Sequence, residues 1–161
     1  MLLDKGADVN SIDKTGETAL YRASTEGLAV AVQMLLEYGA KPDVKHKLLQ
    51  GETSLHSAAF QSNVAIVQLL LAAGANVHVK SQDGDTALHH AVTATHIYVD
   101  VQGQFAVVQL LLAKGADVAK KNKKGYTPMC CAAVRGLDKI VQLLLDAGAG
   151  VNVKVTLNPK P

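Results

Sequence analysis

The apolar positions of this chain fall into short blocks that come back. The block VQLLLAAGANV, Val67 to Val77, returns as VQLLLAKGADV at 108–118 and VQLLLDAGAGV at 141–151, with looser copies VQMLLEYGA at 32–40 and MLLDKGADVN at the start. Clustered leucines and valines of this kind predict one apolar face of a short helix, and the glycine that follows them predicts its end. Ahead of the blocks stands a second recurring segment: GETALYRAS from Gly16, GETSLHSAA from Gly51, GDTALHHAV from Gly84 and GYTPMCCAA from Gly125. The spacing of these glycines, 35, 33 and 41 residues, is that of a stacked array and not of one active site.

Each unit therefore predicts two helices and a connector. Thr18, Thr53, Thr86 and Thr127 stand where a side-chain oxygen can cap the first helix, with Pro128 at a first-turn position that needs no N–H. Leu20 with Ala23, Leu55 with Ala58 and Ala59, and Leu88 with Ala91 share a face, and the alanines admit a close neighbour. The second helix is predicted from about Leu28, Asn63, Gln104 and Leu137 to the paired leucines, closed by Gly39, Gly74, Gly115 and Gly148. A lone pair of such helices leaves its apolar faces in water; stacked pairs cover one another.

These residues resemble the ankyrin repeat, whose pattern runs D-x-x-G-x-T-P-L-H-x-A-A, a glycine, then I-V-x-L-L-L-x-x-G-A-D-V-N. The nearest copies are GETSLHSAAFQSNVAIVQLLLAAGANV and GYTPMCCAAVRGLDKIVQLLLDAGAGV. The resemblance implies an all-α solenoid of helix-turn-helix units with β-hairpin-like connectors. It divides the chain into a partial repeat at 1–10, repeats at 11–43, 44–78, 79–119 and 120–152, and a frayed tail at 153–161. Departures are Tyr21 and Cys130 in place of histidine, Ala19, Ser54 and Ala87 in place of proline, and a longer connector at Lys45–Gln50. An insertion, HIYVDVQG at 96–103, is expected between the helices of the third repeat. Neither end carries a polar capping repeat, which suggests an excerpt of a longer array or covered ends.

Composition narrows the function. Of 161 residues 48% are hydrophobic, with two Phe, four Tyr and no Trp, so Leu, Val and Ala fill the interior. The formal net charge of +2 is too small to argue for nucleic acid or a membrane surface. The adjacent Cys130 and Cys131 form no disulfide framework, and a cytoplasmic or nuclear location is expected. No nucleotide-binding loop, nucleophile elbow or H-E-x-x-H motif occurs, so no enzyme activity and no cofactor are expected. A zinc site from His56, His89, His90, Cys130 and Cys131 is disfavoured. Equivalent positions in stacked repeats lie roughly 8–10 Å apart, whereas zinc takes ligands at about 2 Å. The run Lys120–Lys124 (KKNKK) reads first as a solvated connector and second as a contact for phosphate or acidic protein.

The resemblance further implies a protein or peptide partner on the concave face, formed by connector tips and the exposed side of the first helices. The matching positions are Lys14, Glu17, Thr25, Glu26 and Tyr38; Leu49, Gln50, Glu52, Phe60 and Gln61; Gln82, Asp83, Asp85, Thr93 and Ala94; and Lys123, Lys124, Tyr126, Val134 and Arg135. Phe60, Tyr38, Tyr126 and Arg135 are the expected anchors, because aromatics and Arg dominate binding hot spots. The chain is expected to act as a non-enzymatic scaffold, monomeric or within a longer array. The alternative is a targeting or regulatory segment of a larger enzyme or channel.

Overall fold

The computed structural model describes residues 8–48, 50–94 and 101–150. Leu49, the first seven residues of the partial repeat, residues 96–100 of the insertion and the tail at 153–161 lie outside the described residues. Eight helices are described: α1 (Ala19–Thr25), α2 (Ala29–Glu37), α3 (Ser54–Phe60), α4 (Val64–Ala72), α5 (Ala87–Thr93), α6 (Val101–Ala113), α7 (Pro128–Val134) and α8 (Asp138–Asp146). Odd and even helices pair as hairpins. The odd helices then pack on one another in sequence, α1 on α3 on α5 on α7, and the even helices form a second row, α2 on α4 on α6 on α8. The fold is an all-α solenoid.

The same side chains do the same work in each unit. All four predicted threonines are N-caps; Thr18 Oγ1 accepts the N–H of Tyr21, and Thr127 Oγ1 that of Cys130. Leu20, Leu55, Leu88 and Met129 are buried at one position of the first helices. Leu70, Leu111 and Leu144 are buried at one position of the second, with Leu35 partly covered at the open α2 end of that row. Burying each such side chain contributes about 1.5–3 kcal/mol, and the helices pack both within a unit and against the neighbouring unit. The glycines that close the second helices, from Gly39 to Gly148, have φ between 82° and 89°, where a β-carbon would be strained.

Connectors fold back on themselves as hairpins. The N–H groups of Asp13, His46, Ser81 and Asn122 donate to the carbonyls of Glu17, Glu52, Asp85 and Tyr126. Among the described residues the β-character is confined to a single bridge, Ile12 with Thr18. The third unit departs from its expected boundary. α6 begins at Val101, not near Gln104, so the last three residues of HIYVDVQG belong to the helix. The reason is periodicity: Gly103, Gln104, Val107, Val108 and Leu111 are all buried, so one face runs without a break through the extra turn.

Candidate interaction face

The surface made by the connectors and the first helices is held in place by bonds that cross between units. His56 Nδ1 accepts the N–H of its own Thr53 over 3.2 Å, which requires the ring proton on Nε2; that nitrogen donates to the carbonyl of Asp85 in the next unit over 3.2 Å. His89 repeats the arrangement with Thr86 and the carbonyl of Tyr126. Where tyrosine stands for histidine, the Tyr21 hydroxyl donates sideways to Glu52, again one unit on. Connector tips are joined as well. Lys47, Gln82 and Lys123 donate main-chain N–H bonds to Gly16, Gln50 and Asp83, at 3.3, 2.5 and 2.8 Å.

Electrostatics along this face follow from burial. The His56 ring is pushed down to about 4, first by burial and then by the neighbouring His90, whose ring lies edge-on at 5.1 Å. His89 and His90 are lowered for the same first reason, burial. His90 is thereby held uncharged at neutral pH, so its 3.7 Å approach to Glu52 is no ion pair there. Burial also raises the Tyr21 hydroxyl, with Glu52 adding to it, and lifts the Cys131 thiol to about 11. Cys131 is therefore a poor thiolate. Among the described residues no group of three or more His, Cys, Asp or Glu is placed to hold a metal ion.

The expected contact residues divide into two kinds. Glu17 accepts from Arg22 and lies 3.3 Å from His46 Nε2; Glu52 takes the Tyr21 hydroxyl; Asp85 accepts the amide of Asn122 over 2.8 Å. Thr93 donates to the carbonyl of His89 in its own helix. These carboxylates and this hydroxyl are engaged within the array. Phe60 is half-buried with its ring edge toward His90 at 6.3 Å, beside the half-buried Gln61. Tyr126 is half-buried, and Arg135 is exposed while donating to the carbonyl of Ala94. Glu26, Asp83, Lys123 and Lys124 are exposed. Tyr38 is exposed at the end of α2, which places it in the second row of helices rather than the first. Leu48, which carried no expected role, is 71% exposed at the tip of the longer connector. Its signal was the longer connector at Lys45–Gln50.

A family model described as "Ankyrin repeats (3 copies)" matches residues 31–118 and 55–155. The chain belongs to the ankyrin-repeat family. Ankyrin repeats generally act as protein–protein interaction modules and are generally non-enzymatic. The comparison with curated proteins gave no match. No described helix of this ankyrin-repeat chain is long and apolar enough to cross a membrane.

Proposed function

We propose that this ankyrin-repeat chain is a non-enzymatic scaffold that binds a protein or peptide across its connector tips and first helices. The observation that supports this most directly is the set of cross-unit bonds from His56, His89 and Tyr21. They fix neighbouring units before any partner arrives, so little ordering is left to oppose binding. Phe60, Tyr126 and Arg135 supply aromatic and guanidinium contacts on that prearranged surface, and Phe60 lies near its middle.

The test is affinity capture from extract with wild type and a Phe60→Ala, Tyr126→Ala double variant, both checked for helicity by circular dichroism. Proteins retained by wild type and lost by the variant support the reading. Identical recovery on both, or none on either, overturns it.

A further inference from the structure

We infer that the partner segment is an acidic polypeptide stretch carrying apolar residues, received along the row of connector tips. This rests on the binding reading above and gives it a partner chemistry. The residue that follows the start of each connector hairpin is Lys14, Lys47, Gln82 and Lys123, a lysine in three units of four, and Lys124 follows in the last. The tip-to-tip main-chain bonds of Lys47, Gln82 and Lys123 set these positions side by side. All five side chains are exposed. No carboxylate lies within ion-pair distance of Lys14, Lys47, Lys123 or Lys124 among the described residues, whose Lys and Arg ion pairs involve Arg22 and Lys120.

The acids nearby are already used. Asp13 accepts from the main chain and hydroxyl of Thr15 and from the N–H of Glu17. Glu17, Glu52 and Asp85 have the partners named above. Asp83 is the exposed acid that remains in the tip row. Glu17, Glu52 and Asp85 are half-buried while the lysines are exposed, so in the tip row Lys14, Lys47, Lys123 and Lys124 face the two exposed acids Asp13 and Asp83 and leave an excess of positive charge. Two features favour a polypeptide over a phosphate backbone. Leu48 stands 71% exposed beside Lys47, with the half-buried rings of Phe60 and Tyr126 on the same face, so apolar contacts alternate with cations. The cations are lysines, point charges one repeat apart, and not the arginine forks that read phosphate bidentately.

The probe is a displayed library of random peptides, selected on the whole chain and read for composition. Individual peptides are then measured on wild type, on Lys47→Gln, Lys123→Gln, Lys124→Gln, on the same three changed to Glu, and on Phe60→Ala, Tyr126→Ala. The expected result is enrichment of Asp and Glu with interspersed apolar residues. Affinity should fall with added salt, by about tenfold in the glutamine variant and further in the glutamate variant. Neutral or basic peptides that lose binding only in the aromatic variant overturn the acidic partner and leave the binding face standing. No enrichment, or binding indifferent to every variant, overturns both. A single-stranded oligonucleotide that binds through the same lysines more tightly than the selected peptides also overturns the polypeptide assignment.

Discussion

The side-chain amide of Gln104 donates to the carbonyl of Ala91 over 2.8 Å, filling the place that a main-chain N–H holds in the other units. There the N–H groups of Leu28, Asn63 and Leu137 meet the carbonyls of Ala23, Ala58 and Ala132. In the third unit, which carries the insertion, the donor described at this carbonyl is the side chain of Gln104, 1% exposed. Gln104→Leu removes this donor from the Ala91 carbonyl and should cost about 1–3 kcal/mol, partly offset because Gln104 Oε1 is itself buried without a hydrogen-bond partner. Urea denaturation of wild type and variant measures it; an unchanged midpoint would show that the carbonyl finds another donor.

Ser62 occupies the turn where the first and fourth units have Gly27 and Gly136, and it takes the same left-handed backbone, φ 55°. Its hydroxyl is also buried with no hydrogen-bond partner. Ser62→Gly relieves both faults and should stabilise the chain by about 0.5–1 kcal/mol, the backbone gain being partly offset by the freer unfolded glycine. Thermal unfolding followed by circular dichroism should show a rise in Tm; a fall would mean that the serine makes a contact worth more than its strain.

Much of this architecture was legible because the repeat writes each instruction several times. A threonine before every first helix and a glycine after every second read as caps, and the structure uses them as caps. The start of α6 was not legible at the same level. The pattern from the other units puts the boundary at Gln104, and only the packing of Gly103 under the array shows why the helix begins earlier. The face was half legible. Its positions follow from register, but register does not reveal that Glu17, Glu52 and Asp85 turn to partners one unit away while lysines at neighbouring positions stay free. Those pairings depend on the distance between units, which no single repeat encodes.

Glycines that share a left-handed backbone should respond differently to a methyl group. Gly136 has φ 67° and, among the described residues, nothing within 4 Å of an added β-carbon, so Gly136→Ala should cost the left-handed penalty, about 1–2 kcal/mol. At Gly84, φ 80°, the same carbon would stand 3.0 Å from the main-chain nitrogen of Lys123. Gly84→Ala should therefore cost more than Gly136→Ala and loosen the bond from Lys123 to Asp83. Chemical denaturation ranks the two, and amide exchange at Lys123 should speed up in Gly84→Ala alone. Equal costs would show that the tips separate without penalty.

Acid should weaken the array through its buried histidines. His56 sits at about 4 in the folded chain against 6.5 for an unburied ring. The unfolded chain thus takes up a proton at a pH where the folded chain does not, and the stability held above pH 6.5 declines as pH falls toward 4. The full difference for this one ring is about 3 kcal/mol at 1.36 kcal/mol per unit, and the lowered His89 and His90 act in the same direction. His90 adds repulsion when charged, Lys45 opposes the charged ring too, and the carbonyl of Asp85 favours it without overcoming burial. Unfolding free energies from urea titrations between pH 7.5 and pH 4 should therefore drop steeply, with the slope beginning near 6.5. His56→Gln should start lower at neutral pH, having lost the bond to Asp85, and then fall less steeply. Parallel curves for the two proteins would assign the acid sensitivity to other groups.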